Sequence, residues 1–159
     1  MRKIALILIA VAFVASAALA YPQSSTEEEV RAAILESNAF TAVNLTTNPE
    51  DYSSHGALEF WSSGGMMQKI TDAGRESAFD VFNVEPKHIQ VITLVEGQAA
   101  VALYYSEGSM KPKGSELVSH YLTRVTQVFV KEDGKWRVRS SHWSPMVGGS
   151  GTSQTTTEQ

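Results

Sequence analysis

Five side chains near the end of the chain have the types and spacing of a binding or catalytic cluster. They are His120, Arg124 and Thr126 on one predicted strand and Ser140 and His142 on the next. An arginine turned toward a protein interior must be paired or solvated. A histidine beside that cation has a lowered tendency to take a proton and suits a neutral base near pH 7. Two chemistries fit. In the first, Arg124 and His142 anchor an acidic or carbonyl-bearing small molecule, with hydrogen bonds from Thr126 and Ser140. In the second, His142 abstracts a proton while Arg124 or Ser140 holds it. The second lacks a carboxylate spaced to orient the ring, which weakens it. A third reading is structural, with the arginine and histidine satisfied by a helix carboxylate.

The meeting of these five depends on how the last two strands pair, because Glu132-Asp133-Gly134 closes in two ways. A two-residue loop at Asp133-Gly134 sets Lys131 opposite Trp136 and Phe129 opposite Val138. A three-residue loop with Gly134 left-handed sets Val130 opposite Trp136 and Val128 opposite Val138. A slip of one residue exchanges the two faces of a strand. The second register gathers four apolar side chains on one face, so it is the expected one. Continued outward, it sets Thr126 opposite Ser140 and Arg124 opposite His142, with His120 further along the same face. It leaves Phe129 and Trp143, with Arg137 and Arg139, on the other face, where they fit a dimer interface.

Trp61, Tyr104 and Tyr105 have the character of cavity walls, though a core or rim position is the plainer reading. His55 stands before a predicted strand and could reach a pocket mouth; exposure is the simpler expectation. His55, His120 and His142 lack the close spacing of a metal motif, so no metal and no cofactor is expected. Glu116 lies near a strand start, and spacing flags none of Asp51, Glu59, Asp80 or Glu96 as a base. Gly64-Gly65 lacks the helix and lysine of a phosphate loop. The sequon Asn44-Leu45-Thr46 falls late in a predicted helix and is discounted.

The positioning elements are legible in outline. Ser25 or Thr26 caps a helix opened by Glu27, Glu28 and Glu29. Val30, Ala33, Ile34, Ser37, Phe40, Thr41 and Leu45 recur at helical spacing over about 18–20 residues, up to Asn48-Pro49. Residues 58–63 read as a short strand carrying Phe60 and Trp61, and residues 74–83 as a second short helix closed by Pro86. Residues 88–95 and 99–106 form a hairpin about Glu96-Gly97, residues 107–114 a loop, and residues 116–131 and 135–144 the closing hairpin. The expected architecture is α+β, a curved antiparallel sheet with N-terminal helices packed on its concave face.

The ends bound where such a domain works. Arg2-Lys3, the apolar run 4–14 and the small residues ending Ala18-Leu19-Ala20 have the three parts of a cleavable secretory signal, cut after Ala20. The run is too short for a spanning helix, which takes about 20 apolar residues. The expected organisation is therefore a signal peptide over 1–20, a loose segment over 21–26, one domain over 27–146 and a disordered polar tail over 147–159. Cleavage removes two of thirteen basic residues and none of the seventeen acidic ones, leaving a net charge of −6. That balance offers no footprint for nucleic acid or an anionic membrane. With no cysteine, disulfides and thiolate chemistry are excluded. The chain is expected to be secreted or periplasmic.

The segment 123–144 (TRVTQVFVKEDGKWRVRSSHWS) resembles the closing hairpin of the nuclear transport factor two-like superfamily. It is closest to the SnoaL-like branch and the association domain of calmodulin-dependent kinase. The resemblance rests on Thr126, Asp133-Gly134-Lys135-Trp136, and His142 with Ser144, and extends over about residues 27–146. It implies a cone-shaped roll with a pocket at its open end, commonly a homodimer through the outer sheet face. It also implies isomerase-, hydratase- or cyclase-type proton transfer in some members, and only binding or assembly in others. Fold does not fix chemistry. The resulting expectation is an exported protein binding a small organic ligand through Arg124, His142, Thr126, Ser140, His120, Trp61 and Tyr104. The alternatives are an enzyme with His142 as base and a ligand-free assembly module.

Overall fold

A computed structural model describes residues 25–71, 74, 76–146 and 148–152. The expected signal peptide, most of the expected loose segment and the end of the expected tail lie outside the described residues.

The first helix forms as its pattern dictates. α1 is Thr26–Asn44. Ser25 and Glu28 cap it reciprocally: the Ser25 hydroxyl accepts from the Glu28 amide at 3.2 Å and the Glu28 carboxylate accepts from the Ser25 amide at 3.0 Å. The helix stops before Asn48-Pro49 because Leu45 turns left-handed (φ 54°) and closes on the Thr41 carbonyl. Val30 and Ile34 are buried among Ile89, Ala100, Ala102, Phe129 and Val138. Each such side chain removed from water is worth about 1.5–3 kcal/mol.

A single tight helical turn, Pro49–Asp51, follows. The strands are β1 (Ala57–Phe60), β2 (Gln68–Ile70), β3 (Phe79–Val95), β4 (Ala99–Pro112), β5 (Val118–Glu132) and β6 (Lys135–Pro145). They form one sheet in the order β2-β1-β6-β5-β4-β3. β3 to β6 are an antiparallel meander; β1 runs parallel to β6, which makes the sheet mixed.

Of residues 74–83, expected as a second helix, 79–83 belong instead to β3. Phe79, Phe82 and Val84 pack with Met110 and Tyr121 in a second apolar cluster. Pro86, read from the sequence as a stop, is tolerated because β3 is the sheet edge, where a missing N–H can face away from the ladder. The expected loop at 107–114 is likewise mostly strand. Gly108 (φ 151°) permits this: a Cβ there would stand 1.9 Å from the Asn83 carbonyl oxygen.

The closing hairpin corrects the expected register. Asp133 (φ 50°) and Gly134 (φ 78°) form the two-residue turn, pairing Glu132 with Lys135, Lys131 with Trp136 and Phe129 with Val138. Both positive φ values suit the right-handed twist of the flanking strands. Beyond Phe129 a bulge at Arg139 shifts the pairing to Val128–Ser140 and Thr126–His142. The extra residue changes the parity of β6. Val138 and Ser141 are therefore both buried, with Phe129 and Gln127 opposite them. Neither uniform register could do this. Phe129, expected on an outer dimer face, is core at 3 % exposure, and Trp143 packs against the same core cluster.

The start of the expected loose tail is held to the sheet. Ser150 exchanges backbone hydrogen bonds with the strand at His120 and Leu122, and the Thr152 amide donates to the Ser62 hydroxyl at 3.1 Å.

Candidate functional site

Between α1 and the concave face of the sheet lies a cavity of about 920 Å³, within the range of about 300–1,000 Å³ that holds small organic molecules. Its most unusual wall residue comes from β1, a strand of only four residues. β1 alternates, with Ala57 and Glu59 buried and Leu58 and Phe60 exposed. Parallel pairing with β6 sets Glu59 against Ser141. Glu59 is only 6 % exposed.

Both oxygens of Glu59 are fixed by neutral donors. Oε1 accepts from the Ser141 hydroxyl at 2.5 Å and Oε2 from the Trp61 indole N–H at 3.1 Å. The Trp143 indole N–H donates to Ser141 Oγ at 3.3 Å, and the Tyr104 ring meets Trp143 edge-on, 6.1 Å between centroids. Among the described residues no lysine, arginine or histidine forms an ion pair with Glu59. A carboxylate oxygen can accept two hydrogen bonds, so each retains capacity for one more donor.

Two phenols border the same cavity. Tyr104 Oη donates to Gln127 Oε1 at 2.7 Å. Its pKa is pushed far up, by burial first and then by the neighbouring Tyr121 and Glu59, so it remains a neutral donor. Tyr121, also raised by burial, points its hydroxyl at Ser62 Oγ, 3.4 Å away. A second carboxyl, Asp51, accepts from the Ser37 hydroxyl at 2.7 Å; burial holds its pKa above the ordinary value despite that bond. Of the other charged groups on the wall, Lys131 pairs with Glu29, whose carboxylate also accepts from the Trp136 indole at 2.7 Å, and Lys135 with Glu50 at 3.1 Å.

The cluster read from sequence is not in this cavity. Trp61 and Tyr104 line it, but His120, Arg124 and Thr126 are exposed on the opposite face because the two-residue turn makes Phe129 and Gln127 the inward residues of β5, and the β6 bulge turns His142 outward with them. Arg124 donates to the Ser144 hydroxyl at 2.9 Å, Ser140 to the Leu58 carbonyl at 2.9 Å, and His142 lies edge-on to Phe60 at 5.6 Å. His142 therefore has no part in cavity chemistry, and an acid anchored by Arg124 and His142 has no enclosed site. Glu59 carried one weak signal that was passed over. It alternates with Leu58 and Phe60 in a strand of four residues, too short for the alternation to say which set faces inward.

The fold and family follow from comparison. A protein of Novosphingobium aromaticivorans, provisionally named an aromatic ring hydroxylase, superposes with a TM-score of 0.56 at 15 % identity, covering 79 % of this chain and 92 % of that one. An NTF2-like protein of unknown function from Pseudomonas putida gives 0.53 at 16 %, covering 74 % and 84 %. A Xanthomonas campestris protein, provisionally named a calcium/calmodulin dependent protein kinase II association domain, gives 0.50 at 20 %, covering 74 % and 86 %. At these identities the likeness is one of fold. No curated protein matches significantly. The SnoaL-like domain pattern matches residues 52–148, more than half of the sequence. The protein is therefore an NTF2-like α+β cone and belongs to the SnoaL-like domain family.

Proposed function

We propose that this protein binds a small organic molecule in the cleft between α1 and the sheet. The apolar body of the ligand lies against Trp61, Trp143 and Tyr104, and a hydrogen-bond donor on it reaches Glu59. One observation carries this reading: a carboxylate buried to 6 % exposure at a cavity wall, held by two neutral donors. Burying such a group costs several kcal/mol unless it is paired. A core that needed only packing would place an apolar side chain at that position.

The neutral, environment-sensitive dye Prodan tests the reading. It should bind saturably with a blue-shifted emission, and Ala33→Trp, which fills the cleft from the helix side, should abolish that binding in a protein that still melts cooperatively. Absence of binding to the parent, or binding undiminished in the variant, would overturn the reading.

A proton-transfer enzyme is the second reading, and Glu59 is what favours it. The base would be this carboxylate, oriented by Ser141 and Trp61, in place of His142. The basic start, apolar run and small-residue end of residues 1–20 support export, and the exposed side chains of Leu58, Phe60, Leu103 and Tyr105 support pairing with a second copy through the outer face. Both belong to the same proposal.

A further inference from the structure

We infer that the ligand of this cleft is an organic cation, a protonated primary or secondary amine on an aromatic or aliphatic body. The inference rests on the cleft-binding reading and concerns the charge the site selects. Six carboxylates border the cavity (Glu29, Glu36, Glu50, Asp51, Glu59 and Glu76) against three lysines, with no arginine and no histidine among the described lining residues. Lys131 is committed to Glu29 and Lys135 to Glu50. Among the described lining residues that leaves Lys113 against Glu36, Asp51, Glu59 and Glu76, with Arg137 acting on Asp51 from outside the lining, so the side chains that border the cavity carry a net negative charge.

Glu59 is where this excess is deepest. Its two bonded donors, Ser141 and Trp61, are neutral; they satisfy lone pairs without cancelling the charge. A neutral alcohol or amide would do the same and no more. An ammonium group supplies both the hydrogen bond and the opposite charge, in a place where water cannot screen them. An N–H is needed, because the free lone pairs of Glu59 are hydrogen-bond acceptors. The aromatic walls act in the same direction: Trp61, Trp143, Tyr104 and Tyr121 all border the cavity, and indole and phenol rings attract cations through their π faces. An anionic ligand would meet the opposite balance.

Three probes of one shape decide the matter: phenethylamine, phenethyl alcohol and phenylacetate, titrated near neutral pH against the mature full chain. The protein reports its own occupancy, since all three of its tryptophans line the cleft. Phenethylamine should bind at least about tenfold more tightly than the alcohol, a difference within reach of one charge-assisted hydrogen bond, and phenylacetate should bind more weakly than either. Glu59→Gln should bring the amine down to the affinity of the alcohol. Equal or tighter binding of the alcohol or the acid by the parent protein overturns the inference, whether or not the variant folds. Failure of the amine in a protein that still takes up Prodan overturns the inference alone. Failure of all three together with Prodan overturns the cleft reading as well.

Discussion

At the scale of single residues, Asp51 and Tyr104 make the clearest commitments. Burial raises the Asp51 pKa, and the Ser37 hydroxyl only partly offsets it. The folded state therefore holds that proton more tightly than the unfolded chain. Stability should fall as pH rises through the interval between the ordinary carboxyl value and the raised one. Asp51→Asn abolishes the ionisation while keeping an acceptor for Ser37. The variant should melt higher than the parent near neutral pH, and the gain should vanish below about pH 3. An equal difference at both pH values would assign the effect to the hydrogen bond instead. Tyr104→Phe strands the Gln127 carbonyl oxygen, which now accepts at 2.7 Å. Denaturant melts should show a loss of about 1–3 kcal/mol, the penalty of an unsatisfied buried acceptor; a neutral substitution would mean that Gln127 finds another donor.

At the scale of elements, the sheet depends on two local departures from regular strand geometry. The bulge at Arg139 reverses the parity of β6 and thereby puts Val138 and Ser141 on the same side. Without it, either the apolar end of the hairpin or the partner of Glu59 would face outward. Gly108 allows β3 and β4 to approach so closely that they continue as strands to Phe79 and Pro112. Gly108→Ala drives a methyl group into the Asn83 carbonyl, and the obstacle is backbone. Unfolding experiments should register a loss of about 2–4 kcal/mol. A loss under about 1 kcal/mol would show that the end of the hairpin moves aside at little cost. The clamp between α1 and the closing hairpin is a third element-level feature. Glu29 collects both Lys131 and Trp136, tying the first turn of the helix to the β5–β6 turn.

At the scale of the whole molecule, the two faces of the sheet have different duties. The concave face carries the core and the cleft. The convex face exposes Leu58, Phe60, Leu103 and Tyr105, each about two-fifths accessible or more, beside His142 and Arg124. If that face pairs with a second copy, light scattering should give twice the chain mass for the parent. Leu103→Glu should give the single-chain mass and leave Prodan uptake unchanged, because Leu103 is not a cleft residue. A monomeric parent at working concentrations would remove the pairing proposal. Export has an equally direct test: the mass of protein recovered outside the cytoplasm should correspond to a chain beginning at Tyr21.

The amino-acid sequence by itself determined whatever depends on local pattern. The capped helix, the strand-rich second half and the Asp133-Gly134 turn followed from periodicity, capping and turn chemistry, and the segment 123–144 by its resemblance implied a cone-shaped family. It offered Trp61 and Tyr104 for a cavity wall, with a core or rim position as the plainer reading. What only the tertiary structure decided was which way side chains face. The two-residue turn sets Phe129, Gln127 and Val125 inward and so turns His120, Arg124 and Thr126 of β5 to the outside, and one bulged residue in β6 does the same for His142; no count of apolar residues reveals an insertion that pairing across two strands creates. Glu59 was hidden for the same reason. Its inward orientation comes from parallel pairing of β1 with β6, which joins segments some eighty residues apart and leaves no mark in the spacing of either one.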